Sequence, residues 1–187
     1  MCNSTLSESS NVIETAIHCL VDIADIYYVF LADYMNEALL PISLQAMGSS
    51  TTAVALQGIE FWTTIAEREL ELADQAEDAM ARGEAPAEQS ANYCASQLKE
   101  LLPVILQLLA QQEEDEDEDE WTVSKAASVC LGILAEVVRD DVVDVSPPPP
   151  RPDSGCVYSL NACVCLRACV RLRVCVYFCA CGRFAFC

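Results

Sequence analysis

Residues 54–66 read VALQGIEFWTTIA, with apolar or small side chains at offsets 0, 4, 7, 8, 11 and 12. This spacing lines one face of an α-helix, so the segment predicts a helix with an apolar stripe. A small residue at offset 4 would let a neighbouring helix approach closely. Three stretches share these offsets: Val12, Ala16, Cys19, Leu20, Ile23 and Ala24, then Val54, Gly58, Phe61, Trp62, Ile65 and Ala66, then Val123, Ala127, Cys130, Leu131, Leu134 and Ala135.

A second helix type alternates with the first. Residues 39–45 read LLPISLQ and residues 101–107 read LLPVILQ, with a proline at the same point of each. A proline inside a helix removes one backbone hydrogen bond and bends it, so its recurrence indicates a repeated unit. We name the proline helices A and the striped helices B. Their order, B, A, B, A, B, predicts an all-α HEAT-repeat solenoid of about two and a half helix pairs, with a plain helical bundle as the alternative.

The spacing of the repeats locates two insertions. From Val12 to Val54 is 42 residues, within the range of about 40–47 for HEAT and armadillo repeats. From Val54 to Val123 is 69 residues, and the excess falls in residues 73–90 and in an acidic run at residues 113–120. Such insertions form loops or helix extensions. No strand pattern precedes residue 147.

Charge divides the chain, whose net charge is −19, into two parts. Residues 1–146 contain 28 acidic and 5 basic side chains, whereas residues 147–187 contain 1 acidic and 5 basic side chains. A region as acidic as the first repels nucleic-acid phosphates and attracts basic partners. We therefore expect residues 1–146 to form the solenoid and to bind proteins rather than nucleic acid.

Cysteine usage and the first residues of the chain indicate a reducing compartment. The four cysteines of residues 1–146 are scattered, as expected where Cys acts as a small hydrophobe. Residues 1–10 lack the basic and apolar regions of a signal peptide. Arginines interrupt the apolar C-terminal segment, so no membrane span is expected.

No catalytic arrangement is evident in the sequence. His18, the single histidine, is better interpreted as a surface or satisfied core side chain than as a general base. Cys19 and Cys130 fall on the stripes and are interpreted as core residues. There is no glycine-rich phosphate loop, and the acids lack partners that would separate their pKa values. We expect no enzyme activity, no cofactor and no metal site.

The acidic run at residues 113–120, EEDEDEDE, is followed directly by Trp121. Eight like charges repel one another, so one interpretation is a solvated loop. The other is a clamp that steers and pairs with a Lys- or Arg-rich segment. Trp121 favours the clamp, because an indole stacks on arginine or covers a lysine stem. Calcium binding is a weaker third interpretation, since the run lacks a calcium loop's glycine turn and spaced ligands.

A second acidic set lies late in the middle B helix and comprises Glu60, Glu67, Glu69, Glu71 and Asp74. Such a set ordinarily forms a solvated helix face. If the B helices line the binding side of the solenoid, some of these carboxylates would face a basic ligand instead.

Several of these stretches resemble the importin beta family of karyopherins. Residues 54–62 look like the B helix of a central HEAT repeat of that family. Residues 26–28, IYY, and 34–35, YM, look like the end of the preceding B helix and the approach to the next A helix. The acidic run with Trp121, followed by residues 125–131, looks like the family's acidic loop and the helix after it.

The resemblance covers about residues 2–144 and implies a fragment of the family's repeat array. It implies that the acidic loop contacts the basic helix of the adaptor importin alpha, that the GTPase Ran touches this region, and that Phe-Gly nucleoporins bind on the outer face between neighbouring A helices. It also implies nuclear import, with localisation in the cytoplasm, the nucleus and the nuclear pore. The positions that inherit partner contacts are Glu113, Glu114, Asp115, Glu116, Asp117, Glu118, Asp119, Glu120 and Trp121, with Glu67, Glu69 and Glu71 as weaker matches.

An alternative function is a HEAT-repeat scaffold subunit of a protein complex unrelated to transport. The acidic run joined to Trp121 separates the two functions, because a scaffold has no need of it.

Residues 147–187 differ in composition from the rest. The prolines of residues 147–152 predict the end of the last helix and an extended linker. Residues 153–187 are rich in Cys, Val and Arg. Their one-residue Cys gaps are too short for a usual zinc site, and a disulfide scaffold would conflict with a reducing compartment. Alternating Cys and Val is what a GT repeat encodes, which favours a translated low-complexity tail that is not a domain.

Overall fold

The computed structural model describes residues 2–7, 9–110 and 121–139, and every regular element within these ranges is helical. In chain order the elements are a 3-10 turn at Cys2–Leu6, α1 at Ser10–Ile26, a 3-10 turn at Tyr28–Phe30, α2 at Ala32–Tyr34, a π-helical turn at Met35–Leu39, α3 at Leu40–Met47, α4 at Thr52–Ala81, α5 at Tyr93–Leu109 and α6 at Val123–Val138. The acidic run and the predicted linker and tail lie outside the described ranges.

The helices are arranged in two layers. The B helices α1, α4 and α6 pack side by side, with α4 between the other two. The A helices are the segment from α2 to α3, and α5; α3 packs on α4, α5 packs on α6, and α3 also contacts α5. The predicted all-α order B, A, B, A, B is confirmed, and each helix contacts only its repeat neighbours closely, as in a solenoid.

The stripe of α4 forms the centre of the core. Its aromatic members, Phe61 and Trp62, are fully buried and pack edge to face with ring centroids 5.5 Å apart. The Trp62 indole Nε1–H donates to Ser43 Oγ at 2.9 Å, and the Ser43 hydroxyl donates to the Leu40 carbonyl at 3.0 Å. This chain of hydrogen bonds satisfies the polar atoms that the α3–α4 contact buries.

The stripes of the outer B helices are less completely covered. All six stripe residues of α4 are buried, whereas on α1 Val12 is 45% exposed and Cys19 and Ile23 are half-buried. On α6, Val123 and Ala135 are half-buried. The difference follows from position, because among the described helices α4 alone has a B helix on each side.

Gly58 provides the close helix approach that the offset-4 position predicts. A Cβ placed on Gly58 would lie 2.7 Å from the Met47 backbone nitrogen and 2.9 Å from the Ala46 Cβ. Real Cβ contacts are not this short, so any larger residue would push α3 away from α4.

We expect Gly58→Ala to lower the free energy of unfolding by about 1–3 kcal/mol, because the added methyl overpacks the α3–α4 contact. The effect opposes the helix propensity of alanine, which exceeds that of glycine by about 1 kcal/mol. Chemical denaturation measures it. Gly48→Ala is the matched control, since a Cβ on Gly48 has its nearest contact at an ordinary 3.6 Å. Equal midpoints for the two variants would contradict the prediction.

The two prolines do not occupy equivalent helices, which corrects the prediction of one bend made twice. Pro103 lies inside α5, as expected. Pro41 lies in the first turn of α3, directly after the π-helical turn. In that turn the Leu40 N–H bonds to the Met35 carbonyl five residues back. The widened turn changes the hydrogen-bond register just before the residue that has no N–H to donate.

The first insertion is part helix and part loop. Residues 73–81 extend α4 to 30 residues, and residues 82–92 form the connection to α5. Gly83 has a φ of 75°, the left-handed conformation that ends helices at low cost for glycine.

None of the helices in the described ranges has the length and apolarity needed to cross a membrane.

Candidate partner-binding surface

Four exposed carboxylates form a patch on the B-helix layer, here called the acidic B face: Asp25 on α1, with Glu60, Glu67 and Glu71 on α4. The three α4 positions are separated by seven and four residues and so share one side of the helix. Partial burial raises the pKa of Glu67, and the charges of Glu60, Glu71 and Asp25 raise it further. The carboxylates are therefore close enough to repel one another.

The field of this patch reaches α6. Burial raises the pKa of the fully buried Cys130 thiol to about 12, and the carboxylates of Glu60 and Glu67 contribute to the increase. Cys130 therefore stays a protonated core thiol, as its stripe position predicts, and lacks the thiolate character that a nucleophile needs.

His18 is an exposed side chain whose Nδ1 lies 3.1 Å from Gln57 Oε1 on α4.

Glu69 does not belong to this patch, which corrects its prediction as a partner contact. Its side chain is only 2% exposed, and its carboxylate accepts the Tyr28 hydroxyl at 2.8 Å. It also accepts the backbone N–H groups of Tyr93 and Cys94, the first two residues of α5. Its hydrogen-bonding capacity is used inside the protein, where it caps a helix whose free N–H groups favour a negative charge.

Tyr28 completes the network around Glu69. Its hydroxyl donates to Glu69 and accepts the Ala91 N–H at 3.1 Å, and its ring packs edge to face on Tyr93 with centroids 5.1 Å apart. Burial raises the pKa of Tyr28, and the carboxylate of Glu69 raises it further, so the hydroxyl remains a donor. Burial likewise raises the pKa of the Cys94 thiol, with Glu69 adding to the effect.

Glu71 is exposed but its charge is shared. Arg68 lies between two carboxylates, with Nη1 3.1 Å from Glu71 Oε2 and Nη2 2.8 Å from Glu88 Oε2. Glu67 is therefore the predicted contact on α4 with the greatest need of an external cation, and Glu71 has a smaller one. Asp74, also exposed, lines a cavity of about 110 Å³ with Glu136 of α6.

Trp121 stands at the edge of the described structure, two residues before α6. Its side chain is 60% exposed, and the following Thr122 caps α6 by accepting the Lys125 N–H at 3.3 Å. The cap fixes the start of α6 and so holds the indole at the end of the B-helix layer. The eight acids at residues 113–120 lie outside the described ranges, so their predicted contacts remain predictions.

A larger cavity of about 240 Å³ lies at the turn between α3 and α4, where residues of α5 and the first residues of α4 and α6 also line it. Met47 of α3 and Val104 and Leu108 of α5 supply apolar walls, and the turn between α3 and α4 closes one end. Gln107 and residues of that turn add polar groups. The surface that lines this cavity is mostly polar.

Sequence reasoning missed Asp25 as a member of the acidic B face and Tyr28 as a network residue. A signal for Glu69 existed, because it follows Trp62 by seven residues and Ile65 by four and so continues the α4 stripe. A carboxylate on a stripe is buried and needs internal donors. Glu60, Glu67 and Glu71 lie on the opposite side of the helical wheel.

Comparison with known proteins gives consistent matches over most of the chain. No family model matches the sequence. Importin subunit beta-1 of Schizosaccharomyces pombe is 38% identical over 144 residues, which are 77% of this chain and 17% of that protein. Importin subunit beta-1 of Saccharomyces cerevisiae is 35% identical over 144 residues, 77% of this chain and 16% of that protein. The chain thus spans about a sixth of the length of these relatives.

Solved structures agree with the sequence matches. Yeast importin-beta (Kap95p) superposes with a TM-score of 0.74 at 28% identity, over 90% of this chain and 19% of that chain. A complex of Kap95 with Nup1 superposes with a TM-score of 0.68 at 35% identity, over 77% of this chain and 16% of that chain. A structure of Kap95p with RanGDP superposes with a TM-score of 0.67 at 34% identity, over 75% of this chain and 16% of that chain. The HEAT-repeat solenoid predicted from the periodicity is confirmed by these structures.

Proposed function

Because this chain belongs to the importin beta family, we propose that it is part of a nuclear-import receptor whose acidic B face binds a basic adaptor or cargo segment. The adaptor of the proposed kind is an importin-alpha-type protein with a basic helix. A receptor of this kind acts in the cytoplasm, the nucleus and the nuclear pore.

The observation that carries the proposal is the mutual repulsion of exposed acids on neighbouring B helices. Burial raises the pKa of Glu67, the nearby charges of Glu60, Glu71 and Asp25 raise it further, and no ion pair between the described residues includes Asp25, Glu60 or Glu67. A basic side chain bound among them relieves this repulsion, so binding favours the ionised form of Glu67. Affinity should accordingly fall as the pH decreases through the pKa of Glu67.

Trp121 and the acidic run are proposed to act with the acidic B face. The exposed indole precedes α6, which packs directly on α4, and the start of α6 lies beside the start of α4. An indole there can cover the apolar stem of one lysine, or stack on one arginine, of a basic segment whose other charges meet the acidic B face. The run at residues 113–120 adds eight charges immediately before it and would steer a basic segment towards the layer.

Ran and Phe-Gly nucleoporins are proposed as further partners. The importin beta relatives were solved with RanGDP and with Nup1, which supports both classes. For the nucleoporins we propose the outer face between the neighbouring A helices α3 and α5, the location that the family resemblance implies. For Ran we propose the acidic run and Trp121, the positions to which the family resemblance gives this contact.

The test is binding of a fluorescently labelled basic helix to the full chain at low and moderate salt. We expect the double variant Glu60→Gln, Glu67→Gln to bind about 2- to 30-fold more weakly, since each exposed ion pair contributes about 0.2–1 kcal/mol. Fluorescence anisotropy measures the Kd.

The matched control is Glu37→Gln, Glu100→Gln, which removes two exposed carboxylates from the A-helix segments. It should bind like the parent apart from a small loss of long-range attraction. Equal weakening in both double variants would show that only net charge matters. Absence of binding by the unmodified chain at low salt would reject the proposal in favour of a scaffold role.

A further inference from the structure

An arginine of the chain itself already occupies one end of the acidic B face. Arg68 follows Glu67 on α4, and its guanidinium lies between two carboxylates. Nη1 is 3.1 Å from Glu71 Oε2, and Nη2 is 2.8 Å from Glu88 Oε2. Glu71 is a member of the acidic B face, whereas Glu88 lies in the connection between α4 and α5. Arg68 therefore joins a carboxylate of the face to one outside it.

The contacts of Arg68 are suited to exchange with a ligand. Each carboxylate receives a single Nη contact, which is weaker than a bidentate pair. The Nε of Arg68 is buried without a hydrogen-bond partner among the described residues, so the guanidinium is not fully bonded in this position. The Glu71 side chain is 62% exposed and that of Arg68 only 27%. A cation that arrives from solvent thus reaches the Glu71 carboxylate directly.

A ligand cation at Glu71 meets the charge of Arg68. Whether it takes the free Oε1 or displaces Nη1 from Oε2, two positive charges then lie beside one carboxylate and repel each other. Arg68 keeps Glu88 as a partner if it is displaced, which lowers the cost of giving up Glu71. Glu71 should therefore contribute less to binding than a carboxylate that has no internal cation.

We propose that Arg68 is a specificity-determining residue of the acidic B face: it competes with a basic ligand for Glu71 and directs the cations of that ligand to the other carboxylates. Those are Asp25, Glu60 and Glu67, which no ion pair between the described residues includes. This role rests on the proposed function. The favoured partner is a segment whose basic residues gather opposite these three carboxylates rather than continue along α4 towards Glu71.

The test measures binding of a fluorescein-labelled alanine–lysine helix to the full chain by anisotropy, at about 0.1 M salt. Arg68→Gln removes the charge, and Arg68→Met removes it while keeping an unbranched apolar stem. The control is Arg82→Gln, because Arg82 forms a similar exposed pair, with Nε 3.2 Å from Glu84 Oε2. Arg82 follows Glu71 by 11 residues. That is about 16 Å along the helix, beyond the Debye length of about 10 Å at this salt concentration.

We expect both Arg68 variants to bind the helix about two- to fivefold more tightly than the parent, and Arg82→Gln to stay within about 1.5-fold. Glu71→Gln should change the Kd of the parent by less than about 1.5-fold, yet weaken binding about two- to fivefold in the Arg68→Gln background. Glu88→Gln should weaken binding about twofold, because Arg68 then has Glu71 alone. Loss of structure would not produce a gain of affinity.

Three results would overturn the competition when the parent binds. Equal affinities for Arg68→Gln and Arg82→Gln would show that only net charge matters. An equal effect of Glu71→Gln in both backgrounds would show that Arg68 does not mask this carboxylate. Weaker binding by both Arg68 variants would show that the arginine supports the face. If neither the parent nor Arg68→Gln binds the helix at low salt, the proposed function itself fails, and the role of Arg68 fails with it.

Discussion

A chain whose eight acids at residues 113–120 are replaced by serine and glycine is expected to bind a basic helix at least about 15-fold more weakly than the parent. Each exposed pair contributes about 0.2–1 kcal/mol, and eight adjacent carboxylates together supply several kcal/mol. The loss should be greatest at low salt, because screening already weakens exposed pairs in the parent at higher salt. Anisotropy titrations at about 0.02 and 0.1 M salt measure both effects.

The control for this variant is Glu84→Ser, Glu88→Ser, which neutralises two exposed acids of the connection between α4 and α5. It should retain parental affinity within about threefold, since these residues lie outside the proposed surface. If the run variant binds as tightly as the parent at about 0.1 M salt, the run is a solvated loop and the clamp interpretation is wrong.

Replacement of Trp62 with alanine should have the largest effect on stability. The indole is 0% exposed, packs on Phe61 and donates to Ser43, so its removal leaves a cavity between α3 and α4 and takes away the hydrogen bond that the Ser43 hydroxyl accepts. Trp→Ala in a core costs about 3–5 kcal/mol. Folded domains are stable by only about 5–15 kcal/mol, so we expect the variant to be largely unfolded or to melt far earlier. Circular dichroism during thermal unfolding measures this.

The second tryptophan provides the contrast. Trp121→Ala removes a side chain of the same size that is 60% exposed, and its melting curve should match the parent within about 0.5 kcal/mol. Its affinity for a basic helix should fall nonetheless. A Trp62→Ala chain that melts with the parent, or a Trp121→Ala chain that unfolds, would contradict the division of the two tryptophans into core and surface.

The order of the helices could be predicted from the sequence, because a buried helix face requires apolar residues at a regular spacing. The stripe that begins at Val54 and Gly58 repeats in α1 and α6, and a helix has only one way to bury such a set. The same logic gave the close approach at Gly58. The π-helical turn before Pro41 was not accessible, because a proline does not specify which carbonyl the preceding N–H groups bind.

The candidate site could be predicted from the sequence only in part. Spacing within α4 placed Glu60, Glu67 and Glu71 together, but membership of Asp25 depends on how α1 packs against α4. Glu69 was grouped with the neighbouring acids and with the positions that the resemblance implies, although its spacing continues the apolar stripe of α4. Its true environment comes from Tyr28 and from the start of α5, which are brought together only by the tertiary fold.

The cap that Glu69 gives to α5 also bears on how the repeats fold. In a solenoid each repeat contacts only its neighbours, so folding can spread one unit at a time. Here the cap of α5 comes from α4, so the first turn of α5 gains its cap only when α4 has formed and packed beside it. A cap contributes about 0.5–2 kcal/mol, so we expect formation of α5 to be coupled to that of α4 across the boundary between two repeats.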